Sequence, residues 1–534
     1  MSLIVRTPVD PTGRPYGRRR AALGVLCLSL LIIVMANTSL IVAAPAMTAD
    51  LGLSGSDLQW VIDAYTVPYA ALMLMMGAAG DKYGRRGALL GGLAVFVAGS
   101  VAGSLAGSVA WVIAARGVMG IGAAMIMPAT LSLLVATFPR AERARAITAW
   151  TATSGLAIAA GPLLAGWLLE DHSWGSTFLI NVPVAVLAMA AALFLVPPSK
   201  ASGRGRLDLV GGALSVVFLA ALVYAIIEGP HFGWGAAAVT AAVVAVAGAV
   251  AFVLWELRHP RPLLDVRTFR DRTFAGANLA VVLFFLAAFG SIYYLTQHLQ
   301  FVLGYGPLAT GLRLLPLAGA VFAGAAVTNV LTPRVGMRVS VVLGMALGTL
   351  GISLMTGVTA ASGYGAFLAP LLLLGAAIGL SVSPCTDAIM GAFEERRLGI
   401  GGAVNDTSLE LGGSLGIAIL GSILAASYES EITGAIAGRL PADAASTAQD
   451  SVGGALAVAG RVAASGHADQ AALLVRAAHE AFANGVAHTS LIGALVLGAG
   501  TIIVAVLLPA RRRPRPTPEK VPESPRIPQE ISPQ

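Results

Sequence analysis

The sequence predicts an all-α membrane protein with 14 transmembrane helices. Of its 534 residues, 57% are hydrophobic and 11% are charged, which is more apolar and less charged than a soluble domain. Segments of about 20 apolar residues, each long enough to cross roughly 30 Å of hydrocarbon, recur through the chain. They lie near residues 22–45, 58–80, 87–107, 109–136, 146–168, 175–196, 208–228, 236–257, 273–298, 306–330, 338–358, 364–390, 401–424 and 486–508.

The distribution of basic residues supports this number of spans. If the N-terminus is cytoplasmic, the basic clusters that begin at Lys82, Arg140, Lys200, Arg258 and Arg334 all fall in cytoplasmic loops. The short loops on the other side contain no lysine or arginine, as the positive-inside rule predicts. An error of one helix would destroy the pattern, so the charges favour fourteen spans over thirteen. Twelve spans would require two good apolar segments to be discarded. Both termini are therefore predicted to be cytoplasmic.

The spans divide the chain into two bundles with an insertion between them. The predicted units are a cytoplasmic N-terminal segment (1–21), a six-helix bundle (22–196), two inserted transmembrane helices (197–257), a second six-helix bundle (258–508) and a disordered cytoplasmic tail (509–534). The arginines at 18–20 and the apolar run after them are similar to a signal peptide. The run 21–44 is too long for one, so it is interpreted as the first transmembrane helix.

The segment 427–485, predicted to be extracellular, differs from the other connections. It is long, polar in part, and has apolar residues at helical spacing around Leu456 and from Leu473 to Phe482. This spacing predicts two short amphipathic helices over the outer face. The segment is either a tolerated surface insertion or a lid over an outward opening.

Several other classes of protein are not favoured. The formal net charge of +7 comes from short clusters between apolar segments, without the aromatic-interleaved basic face of a nucleic-acid-binding protein. Cys27 and Cys385 each lie in an apolar segment, which predicts packing roles and neither a disulfide nor a metal site. The chain has no phosphate-binding loop of the ATPase type. It also has no convincing nucleophile–base constellation, so neither an enzyme nor a receptor is favoured, and no cofactor is expected.

The loop between the second and third spans reads GAAGDKYGRR. Its glycines permit close helix approach, and its charged side chains can pair and cap helix ends. The loop strongly resembles the signature loop of the major facilitator superfamily, and a weaker copy lies at 333–338. The resemblance implies a major facilitator fold in which this loop forms a cytoplasmic gate. The implied gate residues are Gly77, Asp81, Gly84, Arg85 and Arg86.

Further motifs resemble the fourteen-helix drug:proton antiporters, of the quaternary-ammonium and multidrug exporter type. The segments QWVIDAY (59–65), RGVMGIGAA (116–124), FLINVP (178–183) and AVNDTSLELGG (403–413) carry this likeness. The resemblance implies that Arg116 takes part in proton coupling and that the fifth span holds an antiporter motif. That motif comprises Gly155, Gly161, Pro162 and Gly166.

The first helix departs from the family pattern. Alignment on Pro45 places Ala36 and Ile41 where the family usually has an acid and an asparagine. No first-helix site is therefore carried over from the resemblance.

Ionisable residues inside spans are costly and mark candidate functional sites. Asp406 and Glu410 lie one turn apart on one helix face and would repel each other if both were charged, which suits a proton carrier. Hydrogen bonding of a protonated acid to neighbouring helices is the structural alternative. Asp63 is a further candidate for proton coupling or for contact with a cationic substrate. It lies at a similar depth to Arg116 and could form an ion pair with it, which would make Asp63 partly structural.

Two aromatic residues beside Asp63 are candidate substrate contacts. They are Trp60 and Tyr65, and Trp60 could equally be a membrane-belt residue.

These features predict a proton-coupled exporter of amphipathic, often cationic, drugs or toxic organic compounds. The alternative is a dedicated exporter of an endogenous antibiotic, siderophore or lipid-like compound. The expected location is the bacterial cytoplasmic membrane, with the proton gradient as the energy source. The expected partners are the small-molecule substrate, protons and the lipid bilayer, with no nucleic acid, and the chain is expected to be a monomer.

Overall fold

The computed structural model describes residues 16–51, 53, 55–200, 208–232, 234–260, 262–394, 397–437 and 440–509. All regular structure within these residues is helical. The helices are α1 (Arg19–Leu51), α2 (Gly55–Tyr83), α3 (Arg85–Ser104), α4 (Val109–Thr137), α5 (Arg140–Asp171), α6 (Ser176–Leu179), α7 (Asn181–Leu195), α8 (Leu209–Phe232), α9 (Ala236–Arg258), α10 (Arg272–Gln297), α11 (Pro307–Val335), α12 (Met337–Leu354), α13 (Gly365–Gly391), α14 (Leu398–Ile436), α15 (Ala442–Asp450), α16 (Val452–Ala464) and α17 (Ala468–Leu507).

Fourteen of the helical segments in the described residues are long and apolar enough to cross a membrane. The short α6 and the longer α7 together form one of them, Ser176–Leu195. The fourteen predicted spans are therefore confirmed, and each matches one of these segments. The predicted tail 509–534 lies outside the described residues except for its first residue.

The spans pack in two groups that meet along two seams. α1 packs on α5 and α4, and α3 packs on α4, whereas α10 packs on α14 and α11 packs on α13. The groups meet where α2 and α4 contact α14, and where α5 contacts α11 and α13. The inserted helix α8 packs on α9, on α2 and on α14, so it lies along the α2/α14 seam.

The signature loop and its weaker copy have the same backbone form. α2 and α3 are separated by Gly84 alone, and α11 and α12 are separated by Gly336 alone. Gly84 has φ of 130° and Gly336 has φ of 85°, a region that side chains other than glycine rarely occupy. Both one-residue turns therefore require glycine.

The segment 427–485 is only partly as predicted. The helix around Leu456 is present as α16, but the apolar residues from Leu473 to Phe482 lie in the first half of α17, which continues without a break into the last span. α14 likewise extends to Ile436, well beyond its apolar part. The segment does contain a second short, separate helix, α15, but the predicted position of that helix at Leu473 to Phe482 was wrong, because a transmembrane helix need not end where its apolar composition ends.

Candidate functional site

The end of α2 is joined to the beginning of α14 through Asp81. The two oxygens of its buried carboxylate accept the backbone N–H of Gly399 at 2.9 and 2.8 Å, and one accepts that of Ile400 at 3.3 Å. Arg85 donates to the same carboxylate at 2.7 Å. A helix N-terminus has free N–H groups and a partial positive charge, so a carboxylate stabilises it. Asp81 therefore caps α14 across the α2/α14 seam, and we call these contacts the Asp81 latch.

Glycines allow the two backbones to meet at this point. A Cβ placed on Gly77 would overlap the carbonyl oxygen of Gly399, and a Cβ on Gly399 would overlap that of Gly77. The arginines of the loop hold the other side: Arg85 donates to the Ser199 hydroxyl at 3.1 Å, and Arg86 donates to a carbonyl near the end of α7. All five predicted gate residues therefore lie in one cluster.

Arg116 is fully buried in α4 and turns towards α2 and α1. Its guanidinium donates to the carbonyl oxygens of Val61 and Ile62 at 3.0 and 3.4 Å. It also donates to the side-chain oxygen of Asn37 at 3.1 Å. These carbonyls belong to the two residues that precede Asp63, whose own side chain lies outside the described part of the structure.

Asn37 was missed in the sequence, where the first helix was assigned no site. An amide in the middle of an apolar span was the available signal, because a polar side chain in lipid needs a partner. Asn37 directly follows Ala36, the residue that the alignment placed where the family usually has an acid.

The two acids of α14 lie in different surroundings. Asp406 is fully buried; one of its oxygens accepts a 2.9 Å hydrogen bond from Asn405, whose own side-chain oxygen accepts one from Thr386. The other oxygen of Asp406 is buried with no hydrogen-bond partner in the described residues. Glu410 is half-buried, and its side-chain hydrogen-bonding partner is Tyr69 of α2.

Two tyrosines connect the arginine to these acids. The Arg116 guanidinium lies 4.4 Å from the centre of the Tyr65 ring, and the rings of Tyr65 and Tyr69 are 5.5 Å apart. The Tyr65 hydroxyl donates to the carbonyl of Ile33 in α1 at 3.2 Å. Because Tyr69 contacts Glu410, a continuous row of side chains runs from α4 through α2 to α14. Tyr69 was not identified from the sequence, although it lies one turn from Tyr65 on the same face.

The two predicted substrate contacts have structural partners. Tyr65 is fully buried between Arg116 and α1. The Trp60 ring packs on the ring of Tyr224 in α8, with centres 5.7 Å apart. Trp60 therefore packs the first part of α2 against α8.

The glycines of the fifth span contact two neighbouring helices of α5, α11 and α1. Gly155 and Gly166 face Val321 and Leu308 of α11, whereas Gly161 lies so close to Thr38 of α1 that a Cβ would overlap its hydroxyl. α5 continues through Pro162 without interruption. These small residues permit the close packing that holds the α5/α11 seam together.

Within the described residues, fourteen apolar helical segments surround a buried row of charged and aromatic side chains, an arrangement typical of a multi-span membrane transporter. The chain belongs to the Major Facilitator Superfamily, whose family model matches residues 26–209 and 207–417. It shares its fold with the human organic anion transporter MFSD10, whose crystal structure superposes with a TM-score of 0.59. The matched region covers 90% of this chain and 99% of the MFSD10 chain, and the two sequences are 14% identical.

Three relatives are similar over most of the chain. The "Multidrug efflux pump LfrA" of Mycolicibacterium smegmatis is 34% identical over 93% of this chain and 97% of the relative. The "Multidrug resistance protein Stp" of Mycobacterium tuberculosis is 34% identical over 75% of this chain and 74% of the relative. The "Tetracenomycin C resistance and export protein" of Streptomyces glaucescens is 30% identical over 79% of this chain and 78% of the relative.

Proposed function

We propose that this transporter exports amphipathic, often cationic, organic compounds across the bacterial cytoplasmic membrane in exchange for protons. The observation that carries the proposal is the acid pair Asp406 and Glu410 in the middle of the α2/α14 seam, where the two helix groups meet. Two carboxyl groups one turn apart, one fully buried and the other half-buried, are poorly suited to being charged together. One of them is then available to take up a proton or to face a cationic substrate.

The row from Arg116 to Glu410 supports a coupled role for these residues. A buried arginine is costly unless it is compensated, and here it is held by backbone carbonyls, by Asn37 and by the Tyr65 ring. A change of charge at Glu410 acts on Tyr69 directly and on Tyr65 through it. In the proposed mechanism, protonation and substrate binding at the acid pair alternate, and the Asp81 latch closes the cytoplasmic side.

The proton gradient supplies enough free energy for this exchange. One proton that moves inward through 100 mV releases about 2.3 kcal/mol. Because about 1.4 kcal/mol corresponds to a tenfold ratio, exchange of one proton for one neutral molecule would sustain a gradient of about 50-fold. We propose a monomer that needs no cofactor beyond this gradient.

A dedicated exporter of one endogenous compound is the second candidate. The name of the Streptomyces glaucescens relative refers to resistance to, and export of, a single antibiotic, and another relative is named as a probable actinorhodin transporter. The acid that the family usually carries in its first helix is absent here, which favours a substrate with less positive charge.

The test uses the purified chain in proteoliposomes with ethidium as a cationic substrate. We expect an imposed pH gradient to drive ethidium movement in the wild type but not in Glu410→Gln. Exchange of ethidium for ethidium without a pH gradient should persist in the variant, which shows that it is folded. Glu170→Gln is the matched control, because Glu170 is an exposed acid at the end of α5.

Full pH-driven transport by Glu410→Gln would refute the assignment of Glu410. A panel of neutral aromatic compounds in the same vesicles separates the two candidates. Transport of one neutral compound without transport of ethidium would favour the dedicated exporter.

A further inference from the structure

An open cavity of about 560 Å³ lies between α1, α5 and α11, away from the acid pair. We call it the α1/α5/α11 groove. Its volume is within the range of small-molecule sites in proteins. It belongs to the end of the molecule where α1 and α5 begin, which the charge pattern of the loops assigns to the cytoplasm.

The groove is polar at one end and apolar at the other. Its mouth contains Arg20 of α1 and Arg145 of α5, both exposed. Further along the same helices it is lined by Cys27 and Thr153, which hydrogen bond to each other. Cys27 lies seven positions after Arg20, or about 10 Å along a helix. Phe322 of α11, which is 46% exposed, supplies an apolar wall.

The charge at the mouth is positive in excess. Glu142 lies within electrostatic range of both arginines, but it is held by Arg19 through two hydrogen bonds of 2.8 and 3.0 Å. Three arginines therefore face one carboxylate. Arg20 and Arg145 have no hydrogen-bonded acid among the residues that the structure describes.

We propose that the α1/α5/α11 groove binds an anionic phospholipid of the cytoplasmic leaflet. Its phosphate would lie at Arg20 and Arg145, and an acyl chain would lie along Phe322 and Cys27. Basic pockets between transmembrane helices on the cytoplasmic side are suited to acidic lipid head groups. The decrease in polarity along the groove matches an amphiphile that enters from the membrane, and its positive mouth disfavours a cationic compound.

The two cysteines of the chain provide a direct test. Cys27 lines the groove and is half-buried, whereas Cys385 is 1% exposed in α13. The full-length protein is placed in nanodiscs of phosphatidylcholine alone or with 30% phosphatidylglycerol. The rate at which N-ethylmaleimide modifies Cys27 is measured by mass spectrometry, with Cys385 as the internal reference. We expect phosphatidylglycerol to slow the modification of Cys27 several-fold and to leave Cys385 unchanged.

The variant Arg20→Gln/Arg145→Gln should lose this lipid effect. The quantity compared is the ratio of the two lipid conditions within each variant, since removal of arginine also changes thiol reactivity. Arg258→Gln is the control, because Arg258 is an exposed arginine at the end of α9. We expect it to keep the full lipid effect.

Three results would overturn the proposal. The first is that phosphatidylglycerol slows the modification of Cys27 equally in the wild type and in the double variant. The second is that N-ethylmaleimide modifies Cys27 in neither lipid. The third is protection by inorganic phosphate in phosphatidylcholine discs to the same extent as by phosphatidylglycerol, which would assign the groove to a free anion.

Discussion

Replacement of Asp81 by asparagine removes the charge that joins α2 to α14 and keeps the size of the side chain. The contacts that cross the seam are the hydrogen bonds from the backbone N–H groups of Gly399 and Ile400. The contact with Arg85 stays within one bundle, so it remains when the seam opens. In the proposed mechanism, the contacts across the seam exist only while the cytoplasmic side is closed. The variant should therefore destabilise this closed state more than the open state.

The size of the effect follows from these contacts. Hydrogen bonds to a charged acceptor contribute roughly 1 kcal/mol more than those to a neutral one. A charge at a helix N-terminus adds up to about 2 kcal/mol in partly buried geometry. Asparagine keeps one acceptor oxygen, so we expect a loss of about 2 kcal/mol, which lowers the ratio of closed to open molecules about 30-fold.

The ratio can be measured by electron–electron double resonance between two spin labels. Tyr83→Cys at the end of α2 and Phe269→Cys before α10 provide exposed sites, at 69% and 44% exposure. Both natural cysteines are replaced by alanine. Asp171→Asn is the matched control, because Asp171 is an exposed acid at the end of α5. A ratio that changes less than about threefold in Asp81→Asn, or changes equally in the control, would refute the latch.

Two further substitutions test the packing and the tyrosine row. Gly161→Val should lower the melting temperature by a few degrees, because the new side chain would overlap α1 and overpacking typically costs about 1–3 kcal/mol. Gly24→Val is the control and should change the melting temperature little, because a Cβ at Gly24 meets nothing within 4 Å. Tyr69→Phe removes the hydroxyl that faces Glu410, so pH-driven ethidium transport should fall several-fold while ethidium exchange persists. Unchanged pH-driven transport would contradict the role of Tyr69.

The spans could be predicted from the sequence because lipid imposes a simple requirement. A helix satisfies all its backbone hydrogen bonds internally, so apolar length alone identifies it. The same criterion failed at α17, where the helix continues from Ala468 into the last span. Residues 468–485 contain no proline that would interrupt a helix, and the turn before them has Gly466 at φ of 88°. The chain therefore turns before residue 468, and the helix then continues into the span without interruption.

Several residues of the candidate site could be selected from the sequence as candidates, but the contacts between them could not. Asp81 could be recognised from its loop, whereas its partners are backbone N–H groups, which no side-chain pattern reveals. Asn37 and Tyr69 were missed because their importance depends on which helix faces them. Arg116 and Glu410 could be selected from the sequence because an ionisable side chain inside a membrane span is energetically costly.

The two contact points on the α2/α14 seam are spaced alike on both helices. Tyr69 and Asp81 are twelve residues apart on α2, and Gly399 and Glu410 are eleven apart on α14, so each pair spans about 17 Å. The helices run antiparallel here, since Asp81 meets Gly399 and Tyr69 meets Glu410. The latch and the acid pair therefore act on the same two helices, about three turns apart. In the proposed exchange, a change of charge at Glu410 that loosens the α2/α14 seam also weakens the Asp81 latch. This coupling would connect protonation of the acid pair to opening of the cytoplasmic side.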